Sequence, residues 1–186
     1  IYPDLTEYWD DVVAAYANEV RELYASGCRY LQFDDVSFAY LCDTEFREGV
    51  IARGDDPDEM VETFATTISR AVADRPEDMT VTTHMCRGNF QSTWMTQGGY
   101  EPVADIMFGN MDVDGFFMEY ESDRAGDFEP LRFVRDGQLV VLGLISSKVP
   151  ELETKDEILR RLEEATRHVF IDDICLSPQC GFSSTH

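Results

Sequence analysis

Apolar residues recur at three- and four-residue spacing through Leu5, Tyr8, Trp9, Val12, Val13, Tyr16, Val20, Leu23 and Tyr24. This predicts an amphipathic helix, opened by Pro3-Asp4 and closed by Gly27. The pattern then changes. Tyr30 to Phe33 is a short apolar run that stops at Asp34-Asp35, as expected of a buried strand with carboxylates at its C-terminal end. A short helix over about 44–53 is closed by Gly54, and Asp56-Pro57 opens a longer one to about Ala73, with Asp as cap and Pro in the first turn. A strand over 79–83 leads into His84-Met85-Cys86. Residues 87–100, which include Gly88, Asn89, Gly98 and Gly99, keep no period and read as a long loop, the kind that compact domains often reserve for function.

A helix is expected over 100–108 and a strand over 115–119, ending in an acid. A polar loop follows, then a strand over 139–144 and a helix to about His168, opened by the capping-box pair Thr154 and Glu157. The last strand, 174–176, runs into Ser177-Pro178-Gln179-Cys180-Gly181. Five strands alternate with helices and no hairpin turns join them, which is the pattern of parallel βα units in an α/β fold. A doubly wound sheet and part of a barrel both fit. Chemistry at nearly every strand end favours the barrel, whose active sites gather at the C-terminal face.

Composition narrows the function. The chain has 186 residues, of which 44% are hydrophobic, enough for one domain or part of one. Thirty-seven acidic against fifteen basic residues give a net charge of -22, a field that repels phosphate backbones and anionic lipid. Nucleic acid and membrane are therefore excluded as expected partners, and no apolar run approaches the roughly 20 residues of a membrane span. No leader sequence is evident, so a cytoplasmic location is expected, while the opening at Ile1 without Met suggests a fragment. Five scattered cysteines argue against a disulfide framework and leave metal binding or catalysis open.

Residues two apart in an extended segment share a face, so His84 and Cys86 can look at one metal ion. Glu119 ends the next strand and Cys180 follows the last one. Imidazole, carboxylate and two thiols are all zinc ligands, and their wide separation suits a catalytic site on a rigid scaffold better than closely paired structural knuckles do. Glu121 and Asp123 lie close enough to substitute for Glu119, which could also be a solvated loop acid. Cys28, Cys42 and Cys175 are assigned to packing and His168 to a helix end. Of Asp34 and Asp35 at most one faces the pocket; Asp34 is favoured, with capping of the next segment as the alternative for either. Thiolate-rich zinc points to alkyl transfer to sulfur.

The segments YLQFDD (30–35), THMCRGNF (83–90), GFFMEYESDRAGDFEPLRF (115–133), VVLGLISSKVPELETKDEI (140–158) and CLSPQCGFSST (175–185) resemble the C-terminal catalytic region of cobalamin-independent methionine synthase, most closely its shorter single-barrel members. The resemblance spans 1–186. It implies the last five βα units of a TIM (β/α)8 barrel, with strands before Ile1 missing. It also implies a catalytic zinc held by His84, Cys86, Glu119 and Cys180, and transfer of a methyl group from 5-methyltetrahydrofolate (polyglutamate) to homocysteine, giving methionine. Asp34 would hold the substrate amino group. One departure matters: where the full synthase carries a His in the motif Gly143-Leu144-Ile145-Ser146-Ser147, Ile145 stands, and Ile cannot deliver a proton to a folate leaving group. Two alternatives follow. One keeps the zinc-thiolate chemistry but uses another donor, such as a corrinoid, or another thiol; the other is a barrel that binds a small molecule without turnover.

Overall fold

The computed structural model describes residues 2–181. Helix α1 (Leu5–Ala25) starts where the Asp4 carboxylate accepts from the Thr6 N–H, and leads into strand β1 (Tyr30–Asp34). Two helices that sequence periodicity separates poorly follow. Helix α2 (Ser37–Leu41) is a five-residue turn that has no expected counterpart, and α3 (Thr44–Ala52) is capped by Asp43. Helix α4 (Pro57–Val72) has Asp56 as cap and Pro57 in its first turn, as expected. Then come β2 (Thr80–Met85), α5 (Glu101–Asn110), β3 (Gly115–Glu119), β4 (Leu139–Ile145), α6 (Lys155–Ala165) and β5 (Ile174–Pro178). Helix α6 carries both halves of the Thr154–Glu157 capping box but ends at Ala165, so His168 lies beyond it in a turn. The polar segment between β3 and β4 contains two 3-10 turns, Asp123–Ala125 and Glu129–Phe133.

The five strands form one parallel sheet in sequence order, β1-β2-β3-β4-β5. Alternation divides each central strand between two faces. Val81 and Met85 of β2, Phe116 and Met118 of β3, and Val140, Leu142 and Leu144 of β4 join the core that α4 and α5 cover. Residues of the opposite parity, His84, Phe117, Glu119, Gly143 and Ile145, face the other way. The sheet is curled toward that second face, since His84 Nε2 on β2 lies 3.5 Å from the Gln179 carbonyl just after β5, although two strands separate them. The concave side encloses a cavity of about 300 Å³ lined by Gln32, His84, Phe117, Pro178 and Cys180.

Cys28 is half-buried and Cys42 buried, in line with packing. Cys175 is exposed instead. It sits on β5, an outer strand among the described residues, so an apolar run there does not become interior as it would in a central strand.

Candidate metal centre

His84 and Cys86 leave β2 on the concave side, while Met85 between them is buried in the core. Cys180 arrives from β5 through a register irregularity between Gly143 and Ile145, after which the Gln179 N–H bonds to the Ile145 carbonyl at 3.0 Å. Gly143 allows this approach: a Cβ there would lie 2.6 Å from both the Gln179 Cα and the Met118 carbonyl oxygen. The outcome is that one ligand atom each from His84, Cys86 and Cys180 lies within 4.8 Å of the others. Two sulfurs on a tetrahedral zinc are roughly 3.8 Å apart, so only a small contraction separates this arrangement from a ligand set.

The two thiols act as a pair. Cys180 donates to the Cys86 sulfur, which holds the Cys86 thiol down to about 6, helped by the Gly88 N–H and by His84. The same bond, with burial, pushes Cys180 far up. The donor chemistry, one imidazole and two sulfurs within 4.8 Å of one another, fits zinc.

Asp34 stands opposite His84 in the β1–β2 register, and its Oδ1 lies 2.9 Å from His84 Nδ1. An ionised carboxylate only accepts, so Nδ1 carries the hydrogen and Nε2 keeps the lone pair that a metal would use. The Asp34 side chain is 80% exposed. Asp35 takes the other expected role: it accepts from the Ser37 N–H at 2.8 Å at the start of α2, and burial raises its carboxyl above the usual range.

Glu119 is fully buried beside the thiols but outside their mutual reach. Arg124 Nη2 stands 2.6 Å from its Oε1, an ion pair without hydrogen-bond alignment, and the Arg87 N–H donates to its Oε2 at 2.9 Å. Tyr100 fixes the strand end itself, accepting from the Glu119 N–H at 3.0 Å and donating to the Met85 carbonyl at 3.0 Å. Glu121 pairs with the same Arg124 and is pushed up by burial and by the Glu119 charge. Asp123 opens a 3-10 turn.

Sequence reading did not single out Arg87, Tyr100, Arg124 or Lys148. Lys148 is one of only two lysines, and Arg87 directly follows Cys86; those were the available signals. The Arg87 guanidinium is buried over the Tyr100 ring at 4.1 Å and donates to the Gly98 carbonyl at 2.5 Å. This ties down the 87–100 loop. Gly98 itself has φ +113 and passes so close to the Cys42 carbonyl that a Cβ would lie 2.4 Å from it.

Residues 3–186 match the family described as "Cobalamin-independent synthase, Catalytic domain". The chain is 50% identical over 186 residues to the uncharacterized protein YxjH of Bacillus subtilis (strain 168), covering all of this chain and 49% of that one. It is 26% identical over 180 residues to the 5-methyltetrahydropteroyltriglutamate–homocysteine methyltransferase of Acidiphilium cryptum, covering 93% of this chain and 20% of that protein. A crystal structure from Listeria monocytogenes, provisionally named a vitamin-B12 independent methionine synthase, superimposes with a TM-score of 0.76 at 38% identity, covering 97% of this chain and 50% of that one. The chain thus spans about half the length of the B. subtilis and L. monocytogenes relatives, and its parallel βα units superimpose on about half of the L. monocytogenes structure.

Proposed function

The chain belongs to the family of the cobalamin-independent synthase catalytic domain, and from that premise we propose that it carries the metal-binding part of a methyltransferase that moves a methyl group to the thiol of homocysteine, giving methionine. The observation that carries this reading is the convergence of His84, Cys86 and Cys180 to within 4.8 Å at one end of the sheet. Zinc is the ion this donor set suits, with Glu119 as the fourth residue of the set; its charge bears on both thiols. Bound there, zinc supplies a Lewis acid that keeps an incoming thiol deprotonated at neutral pH.

The protein's own residues bind and orient. Asp34 fixes the His84 ring through Nδ1, and the exposed part of its carboxylate is placed to take the ammonium of the substrate. The cavity of about 300 Å³ beside His84 and Cys180 receives the thiol chain. Phe117 and Pro178 give that cavity an apolar wall, which limits water around the sulfur. The five strands are the last five of an eight-stranded barrel, closed by strands from the half of the relatives' length that this chain does not cover.

Methyl-folate is the donor expected from the resemblance. Ile145 at the end of β4 favours a second reading, a corrinoid donor, because a departing cob(I)alamin needs no proton. The test is metal analysis of the full-length protein, followed by homocysteine methylation with 5-methyltetrahydrofolate and with methylcobalamin. About one zinc per chain, lost in Cys180→Ser, and methionine from either donor are expected. No bound zinc, or no methionine from either donor with zinc present, overturns the reading.

A further inference from the structure

The two oxygens of the buried Glu119 carboxylate are held in different ways. Oε2 accepts from the Arg87 N–H at 2.9 Å, one residue after Cys86. Oε1 accepts no hydrogen bond among the described residues, and the group against it is the Arg124 guanidinium, with Nη2 at 2.6 Å. One oxygen is therefore tethered by a hydrogen bond and the other by charge alone. A carboxylate oxygen with no hydrogen bond to give up is the one that can turn to a cation at least cost.

Arg124 is anchored elsewhere. Its Nη2 donates to Glu121 Oε1, an oxygen that also accepts from the Ser122 hydroxyl at 3.1 Å. The guanidinium lies over the Trp94 ring at 4.5 Å, and the Arg124 carbonyl accepts from the Gly98 N–H at 2.9 Å. These contacts fix the cation without any hydrogen bond from Glu119. Only 11% of the Arg124 side chain is exposed, so solvent and salt screen its attraction for the Glu119 oxygen weakly. Two buried acids thus share one cation, and only Glu121 is hydrogen-bonded to it.

We propose that Arg124, anchored on Glu121, is a positioning residue that competes with the metal for Glu119 and so sets the affinity of the centre. His84, Cys86 and Cys180 converge to within 4.8 Å, and Glu119, the residue against Arg124, is the one outside that group. Structural zinc sites are closed by four protein ligands, whereas catalytic ones keep three and an open position. A cation that draws the fourth acid away moves the centre from the first kind toward the second. The inference rests on the reading of this cluster as a zinc centre, and adds that its strength is set by a guanidinium that is not itself a ligand.

The test is the zinc affinity of the full-length protein, measured by chelator competition. Arg124→Met should tighten zinc by about tenfold or more, the scale of a charge-assisted contact, because the charge competing for Glu119 Oε1 is gone. Arg124→Gln serves as the uncharged variant if the Met variant does not fold. Glu121→Gln should act in the opposite direction and weaken zinc by about threefold or more, since Arg124 then has Glu119 as its one acid among the described residues. In a Glu119→Gln background, removing the Arg124 charge should change the affinity by less than about twofold. A residue that merely supported the fold would not tighten the metal when lost. Unchanged or weaker zinc in the uncharged Arg124 variant overturns the competition and leaves the metal reading intact, as does a tightening that persists without the Glu119 carboxylate. Unweakened zinc in Glu121→Gln overturns the part of Glu121 as anchor. Failure of the wild type to bind zinc overturns the two readings together.

Discussion

The two faces of the curled sheet are made from the same strands and follow opposite rules. On the helix-covered face, Phe116, Met118, Val140 and Leu142 are buried among Phe108, Met107 and Leu131, and the Thr83 and Tyr120 hydroxyls are the buried polar atoms of that parity left without partners among the described residues. At the concave mouth, Glu119, Lys148, Ser147 and Gln179 keep buried polar atoms without hydrogen-bond partners among the described residues. Period-two alternation thus splits one strand between stability and chemistry. The helix-covered face is close-packed and intolerant of lost volume. The mouth leaves polar groups unpaired, which a bound ion and substrate would satisfy.

That contrast can be broken from either side. The largest expected effect is on the packed face. Phe116→Ala removes a fully buried ring that meets Phe108 edge-on at 4.9 Å, and should cost about 3–5 kcal/mol in urea unfolding while metal stoichiometry stays at the wild-type value. Loss of zinc from this variant while it is still folded would show that the faces are not separable. At the mouth, Cys180→Ser should weaken zinc binding by more than about a hundredfold in a chelator competition, beyond what a residue supporting a ligand costs, with metal-free stability nearly unchanged. Asp34→Asn should weaken zinc about tenfold, since it alters only the hydrogen bond that sets the His84 ring. An effect as large as that of Cys180→Ser would make Asp34 a ligand rather than a support.

The smallest effect lies away from both faces, at the start of α6. Thr154→Ala should cost about 1 kcal/mol through the lost cap. The Thr154 hydroxyl and N–H bonds hold Glu157 below its ordinary value. A depressed acid contributes its stability above the unfolded-state value and loses it as pH falls through the folded one. The gap between wild type and Thr154→Ala should therefore narrow below about pH 4.5. A gap that is constant down to pH 3 would show that the cap works through the hydroxyl alone.

Much of this was legible in the sequence because it depends on local rules. The Asp caps of α1 and α4 and the capping box of α6 are written in adjacent residues, and each of the five expected strands lies within two residues of its place. The His84–Cys86 pair follows from strand parity alone. Helix α2 escaped because five residues carry too little periodicity. Arg124 and Lys148 escaped for a different reason: whether a cation caps a loop or sits beside a buried carboxylate depends on chain that returns from another strand, and no local pattern records that. Cys175, assigned to packing, is exposed on β5, the last strand among the described residues.

Gly143 closes the account of how the two sulfurs meet. The backbone of Gln179 and the Met118 carbonyl occupy the space where any larger residue would begin. An alanine here would act as a wedge one residue from the cysteine it displaces, prising a ligand off its partners without touching a single donor atom. The reach of the centre is therefore governed by an empty place in the neighbouring strand, and a search for what controls its metal affinity that considered only groups with lone pairs would overlook it.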